Sequence, residues 1–426
     1  MKFIIYTLGC KVNTYESNVI KDNLINAGYE EANGEIADIY VINTCTVTNT
    51  GDTKSLRTIR KCIRSNKEAI IIVCGCMSQM DYHKANIPGV SIILGNQYKA
   101  KIVEFIHRYI TTRKQLVVVD DIMDAEFETM KLNNFDYTRA FVKIEDGCDN
   151  YCTFCIIPYV RGHVRSKEPR LVLEEINSLI NKGHKEIVLT GIHTGHYGSD
   201  LSNYTFADLL KDILKIPGLE RLRISSIEIT EIDNDILSIM NDSSIIVDHL
   251  HIPIQSGSNQ ILSSMNRKYD KELFKNKVTE IRKVRPSISL TTDLIIGFPD
   301  ETEECFQETI DTINDIGFSK IHVFPYSLRK GTKAEFLPNP VDSKIKRIRV
   351  SKMIELSKTL EIEYMNQFIN QEVEVIPESY KDGYIIGHTG NYLLVKFPGD
   401  ACDIHTTCRV LITSTEYPYS IAQFCK

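Results

Sequence analysis

The sequence predicts an α/β protein in three parts: an amino-terminal parallel-sheet α/β domain at 1–125, a partial (β/α)6 barrel at 137–365, and a small carboxyl-terminal all-β domain at 370–426. Three observations lead there. Continuous apolar runs alternate with amphipathic stretches through the first two parts, the pattern of parallel strands covered on both faces. The alternation is broken by an acidic segment, DDIMDAEFE, and ends after about residue 370 in short strands parted by glycine turns. A chain of 426 residues also exceeds what one hydrophobic core usually serves.

In the first part KFIIYTL, IYVINT, AIIIVCG, VSIILG and QLVVVDD read as strands, and ESNVIKDNLINAG and SLRTIRKCIRS as helices between them. The amino terminus, MKFIIYTLGCK, lacks a small-residue cleavage pattern and reads as a buried first strand rather than a signal peptide. No apolar run approaches the ~20 residues that cross a bilayer, which predicts a cytoplasmic protein without a membrane partner. The acidic segment and the following LNNFDY read as a linker.

The second part holds six strand candidates: AFVKIEDG, KEIVLTG, RLRISSIE, DHLHIPI, SISLTTDLIIG and SKIHVFPYS. Six units fall short of the eight of a closed barrel, so a partial barrel is expected, with chemistry at the carboxyl ends of the strands. A doubly wound open sheet is the competing arrangement. EVEVIPE, GYIIGHTG, NYLLVKFPG and CRVLITSTE then form the small β domain.

Twelve cysteines are too few to make a long chain a disulfide scaffold, and in a reducing compartment clustered cysteines hold metals or do chemistry. GCDNYCTFC places Cys148, Cys152 and Cys155 as C-x3-C-x2-C in the loop after the first barrel strand. Three thiolates can ligate three irons of a [4Fe-4S] cluster and leave the fourth iron open to an exogenous amine and carboxylate. Gly147 lets the backbone turn toward the cluster, and Phe154 shields it. Zinc is the competing metal, with His163 available to complete a tetrahedron. In the first part Cys10, Cys45 and either Cys74 or Cys76 follow three apolar runs whose carboxyl ends converge in a parallel sheet, so a second set is physically reasonable. Buried core cysteines are the alternative there.

C-x3-C-x2-C after the first strand of an incomplete barrel resembles the radical S-adenosylmethionine (SAM) superfamily, in which the open iron binds the methionyl group and reductive cleavage gives a 5′-deoxyadenosyl radical. TLGCKVNTYES, NTCTV and GCMSQ resemble the amino-terminal domain of the methylthiotransferases within it. The likeness continues through DGCDNYCTFCIIPYVRG, LTGIHTGHYG, HIPIQSGS, TTDLIIGFPDETEE and FPYSLRKGTKAE to a small domain similar to TRAM, an RNA-binding module. By matching GC-x-x-Q the resemblance makes Cys76 the third ligand beside Cys10 and Cys45, with Cys74 a core side chain. It implies two [4Fe-4S] clusters, SAM, a tRNA substrate, an electron donor such as flavodoxin or ferredoxin, and an unidentified sulfur donor. CKVN, YES and LTGIHTGHYG are most similar to enzymes acting on N6-threonylcarbamoyladenosine beside the anticodon; enzymes for isopentenyladenosine or a ribosomal-protein aspartate are runners-up. The implied reaction is hydrogen abstraction at adenine C2, sulfur insertion and methylation by a second SAM. A zinc-stabilised RNA-binding protein without catalysis is the alternative of a different class. Lys167, where the pattern often has arginine, and Asp300, where it often has glycine, depart from the family.

Other residues follow from the barrel rule and the family comparison. Thr190, Gly191, Ser226, Glu228, Gln255 and Ser256 end strands or follow them and are expected around the cofactor. No acid or base is assigned; His193 and His196 are as well explained as core or surface residues. Arg161 and Arg165 are candidates for a substrate carboxylate or an RNA phosphate. Asp293, Tyr326 and Arg329 are further substrate or RNA candidates. Residues 329–358 hold nine Lys or Arg against three Asp or Glu, enough to track phosphate, although a solvated helix face explains them equally. The formal net charge is -6, and residues 372–426 carry four basic against seven acidic residues, so RNA binding there needs a local face and stacking by Tyr384, Tyr392 or Phe397.

Overall fold

The computed structural model describes residues 1–425 apart from positions 35, 133, 134, 136, 137 and 405. The end of the expected linker and the boundary at 137 therefore lie outside the described residues.

The amino-terminal sheet has six strands in the order Glu30–Glu31, Lys2–Thr7, Ile39–Thr44, Ile70–Gly75, Ile92–Leu94 and Leu116–Val118. All are parallel. The two central strands are buried along their whole length, as continuous apolar runs require. Successive side chains feed opposite cores: Ile39, Val41, Ile70, Ile72 and Cys74 join one, and Tyr40, Ile42, Ile71 and Val73 the other.

The second part is a partial barrel. Arg139–Lys143, Glu186–Thr190 and Arg221–Ile224 pair in parallel, as do His249–His251, Ser289–Ile296 and Lys320–Pro325. A parallel bridge between Leu222 and Ile246 joins the two groups, so the six strands follow chain order. The five strands Glu372–Lys381, Tyr384–Thr389, Leu394–Pro398, Tyr419–Phe424 and Cys408–Glu416 close a small barrel around Val375, Ile385, Val395, Phe397, Val410 and Ile412. The helix Ser343–Asn366, capped by the Asp342 carboxylate, precedes it. No described helix is long and apolar enough to cross a membrane.

The parts are locked together by a few long-range contacts. Tyr15 and Val19, on the helix Lys11–Asn26, enter the same core as the barrel strands. The Tyr15 hydroxyl lies 2.9 Å from Glu175 Oε1 and 3.1 Å from the Met130 carbonyl. Lys167, the departure from arginine, is buried against that carboxylate and the same carbonyl, a compact point charge suited to converging acceptors. Arg221 donates to Glu374 at 2.9 Å, fastening the small barrel.

Candidate active site

The loop carrying Cys148, Cys152 and Cys155 is stitched by its backbone. Gly147 has φ +91°, and a Cβ there would lie 1.9 Å from the His163 carbonyl oxygen, so only glycine fits. The Cys148 amide donates to the Gly162 carbonyl at 3.0 Å, Cys155 to Cys152 at 2.9 Å, and Thr153 to Met265 at 3.1 Å. Burial pushes all three thiols up, Cys155 to about 12, aggravated by its neighbour Cys152. Thiols in this state ionise together when a metal supplies the positive charge, so the donor set fits a cluster. Arg267, 115 residues away in sequence, donates to Cys152 Sγ at 3.1 Å and pairs with Glu228 at 2.7 Å. His163 lies half exposed, with its Nδ1 2.5 Å from Asp149 Oδ1.

Cys10, Cys45 and Cys76 follow the strands ending at Thr7, Thr44 and Gly75. Asn13 draws two of these loops together, its Nδ2 donating to the Leu8 carbonyl at 2.6 Å and the Thr44 carbonyl at 3.0 Å. A Cβ on Gly9 would lie 2.9 Å from Cys45 Cβ, so the loops touch. Asn96 Nδ2 donates to Cys76 Sγ at 3.6 Å. Burial pushes the Cys45 thiol up to about 11, and Cys10 and Cys76 lie near enough to add to it. Cys74, two residues before Cys76, is fully buried among Ile72, Ile92 and Leu94 in a core.

A cavity of about 200 Å³ lies between the loops of the two sets, lined by Val47, Thr48, Phe154, Cys155, Gln255, Asp293 and Tyr326 among others. Gln255 (φ +65°) is held there by its amide donating to the Asp293 carbonyl at 3.0 Å. Nearby, Glu145 is fully buried; Oε2 accepts from the His193 amide at 2.7 Å while Oε1 has no partner among the described residues. Burial holds this carboxyl well above its usual range. A Cβ on Gly191 would sit 2.6 Å from Glu145 Oε2, and the Thr190 hydroxyl is buried without a partner among the described residues. These unmet polar atoms suit a polar cofactor. Ser226 is half buried on the loop after the next strand.

Residues 142–313 match the radical SAM superfamily, and residues 2–95 match uncharacterized protein family UPF0004. The chain is 44% identical over 99% of its length to threonylcarbamoyladenosine tRNA methylthiotransferase MtaB of Bacillus subtilis, covering 96% of that protein. This chain belongs to the radical-SAM tRNA methylthiotransferase family. The MtaB of Thermotoga maritima is 37% identical, with 97% of this chain and 95% of that one covered. The tRNA-2-methylthio-N(6)-dimethylallyladenosine synthase of Alkaliphilus oremlandii is 34% identical, covering 94% and 87%. Among solved structures, the radical SAM methyltransferase TsrM of Kitasatospora setae shares the fold at TM-score 0.56 and 15% identity, over 76% of this chain and 72% of that one. As a radical SAM enzyme, the methylthiotransferase uses at least one [4Fe-4S] cluster with SAM.

Several residues expected at the site of this methylthiotransferase serve other ends. Arg161 is fully buried, donating to Glu16 at 2.5 Å, Asp146 at 3.1 Å and Asn13 at 2.8 Å, so its charge is spent inside the protein rather than on a substrate carboxylate. Arg165 donates to the Arg161 and Ile122 carbonyls at 2.8 and 3.2 Å. Arg329 joins the barrel to the first domain through Thr46 at 2.6 Å, Asn49 at 2.7 Å and Asp52 at 3.0 Å, which corrects the expectation of RNA contact. Ser256 is buried with its hydroxyl 3.4 Å from that of Thr309, away from the cofactor cavity. Phe397 is core, and Tyr392 stacks on Arg223, leaving Tyr384 as the exposed ring of the three proposed for RNA. Arg267 and Glu145 were missed: nothing in the spacing of NRKYD or KIEDG marks them, because their partners come from other strands.

Proposed function

We propose that the chain converts N6-threonylcarbamoyladenosine at position 37 of tRNA to its 2-methylthio derivative, in the cytoplasm. The observation that carries this is one cavity reached from both cysteine loops, with Cys155 on one wall and Thr48, three residues past Cys45, on the other. The choice of substrate rests on the 44% identity to the Bacillus subtilis MtaB, against 34% to the dimethylallyladenosine synthase of Alkaliphilus oremlandii.

Cys148, Cys152 and Cys155 hold the cluster that takes SAM, and Cys10, Cys45 and Cys76 hold a second. When bound, these groups supply hydrogen abstraction at adenine C2, sulfur insertion and methyl transfer. The chain's own residues position and shield. Arg267 sets a cation against Cys152; Glu228 fixes that cation. Thr190, Gly191, Ser226 and Gln255 border the cofactor, and Phe154 with Tyr326 gives the cavity an apolar wall that excludes water. Asp293 stands at the substrate side. Electrons come from a small donor of the flavodoxin or ferredoxin type. Lys330, Lys333, Lys344, Arg347 and Lys352 are exposed and offer phosphate contacts for tRNA.

Anaerobic incubation of the iron-loaded enzyme with SAM, reductant and tRNA carrying threonylcarbamoyladenosine, followed by nucleoside mass spectrometry, tests the reading. Appearance of the 2-methylthio nucleoside is expected. Modification of isopentenyladenosine tRNA instead would sink the substrate assignment.

A further inference from the structure

Below the cavity beside Cys155 a larger chamber of about 360 Å³ lies between the partial barrel and the small β domain, bordered by Lys11, His249, His251, His322, Glu361 and Tyr392 among others. The pleat sets their order, since alternate residues of a strand share a face. On Ser289–Ile296, Thr291 borders the lower chamber and Asp293 and Ile295 the upper; on Lys320–Pro325, His322 and Phe324 divide in the same way. The Asp293 carboxylate lies 3.4 Å from His251 Nε2, and this pair stands where the two spaces meet.

The lower chamber and its wall carry more buried donors than their own acceptors satisfy. Arg223 is fully buried; its Nε donates to Glu186 at 2.8 Å, but Nη1 and Nη2 have no partner among the described residues. Its guanidinium lies 4.2 Å from the Tyr392 ring centroid, which fixes its plane. His249 Nδ1 and Arg139 Nη1 are buried and equally unmatched. Lys11, on the border of the chamber, brings an ammonium with no hydrogen-bond or salt-bridge partner among the described residues. A buried donor left unmet is costly, and a charged one more so, so the arrangement suits a ligand that brings acceptors and negative charge.

We propose that this chamber receives the threonylcarbamoyl arm of the target adenosine, with Lys11 binding its carboxylate and Arg223, behind Tyr392, adding positive charge to the wall. The assignment rests on the substrate reading above. Lys11 directly follows Cys10, so a base presented to the second cysteine set lies beside this ammonium. An extended arm spans about 6 Å from the adenine nitrogen to the carboxylate, comparable with the ~6.6 Å between same-face residues of a strand, one tier of the barrel. At the ~30 Å³ that one water occupies, the chamber of about 360 Å³ has room for about twelve non-hydrogen atoms, enough for the arm. An apolar arm would leave the buried donors dry, and sites built to hydrogen-bond a substrate reject analogues that lack the partner.

The test compares two anticodon stem-loop RNAs, one with the threonylcarbamoyl carboxylate and one with that carboxylate amidated, on iron-loaded wild type and Lys11→Met, reading kcat/KM and, by titration, Kd. Wild type should prefer the carboxylate by about 100-fold in kcat/KM and at least 10-fold in Kd. Lys11→Met, with wild-type iron content, should lose that preference to within about 5-fold, and Lys11→Arg should restore part of it. A wild type indifferent to amidation overturns the assignment without recourse to any variant. Unchanged selectivity in Lys11→Met overturns it while leaving the substrate reading intact. A wild type that ignores threonylcarbamoyl RNA and modifies isopentenyladenosine overturns both.

Discussion

The two cysteine sets reach similar ends by different routes. Cys148, Cys152 and Cys155 occupy one loop, so their relation is written in eight consecutive residues. Cys10, Cys45 and Cys76 come from three strand ends that only a parallel sheet brings together. A shared device crosses the difference: Gly9, Gly75 and Gly147 each precede a cysteine and have φ of +109°, +101° and +91°. A glycine in that region turns the chain sharply without a Cβ penalty, aiming the next side chain out of the strand direction. Local spacing therefore suffices for one set, while the other depends on every contact that holds the sheet and the domains in register.

The sharpest way to break this comparison is to remove one thiol from each set. Cys152→Ala should abolish deoxyadenosine production, by more than about 1,000-fold, and lose the iron of one cluster only. Cys76→Ala should retain deoxyadenosine production and abolish methylthio product, whereas Cys74→Ala should retain both. Iron analysis and product mass spectrometry read all three, and product from the Cys76 variant would merge the two sets into one role.

The next largest effect concerns the joint between them. Burial alone would raise the Glu16 carboxyl, but Arg161, Lys99 and Lys143 outweigh it and hold it well below the usual range. Replacing Glu16 by Gln leaves those cations uncompensated and should cost about 3–5 kcal/mol in denaturant unfolding at pH 7. A depressed carboxyl stabilises above its unfolded pKa of about 4.3, and that contribution is lost as pH falls further. The gap between wild type and Glu16→Gln should therefore narrow only below that pH.

Gly147→Ala and Gly75→Ala sharpen the comparison at the turns. The first meets a backbone oxygen at 1.9 Å and the second at 2.6 Å, so both should lower the free energy of unfolding measured in denaturant, the first more, by roughly 3 kcal/mol or above. The smallest effect is expected at Asp300, which adopts φ +63° and accepts from Asn339 Nδ2 at 2.7 Å. Asp300→Gly relieves the turn but loses that bond, and should change stability by less than about 1 kcal/mol and leave both iron sets unaltered.

What could be read in the chain follows the same division. Periodicity exposed the six barrel strands and the covered amino-terminal sheet because burial on two faces makes strands apolar throughout. Gly147 stood out because a strained turn needs glycine wherever it occurs, while the matching turns at Gly9 and Gly75 emerged only in the structure. Arg161, Arg165, Arg329 and Ser256 were misread because a charge or hydroxyl after a strand looks the same whether it faces a substrate or a distant helix. Arg161 meets Glu16 across 145 residues and Arg329 meets Thr46 across 283.

The sequence by itself determined the strands, the turns before the cysteines and the family, since these depend on neighbours a few residues apart. Tertiary structure decided which cations are spent on ion pairs and which, like Lys11, border a polar chamber. Coulomb attraction and hydrogen bonding act through space over a few ångströms, and only the folded chain sets those distances.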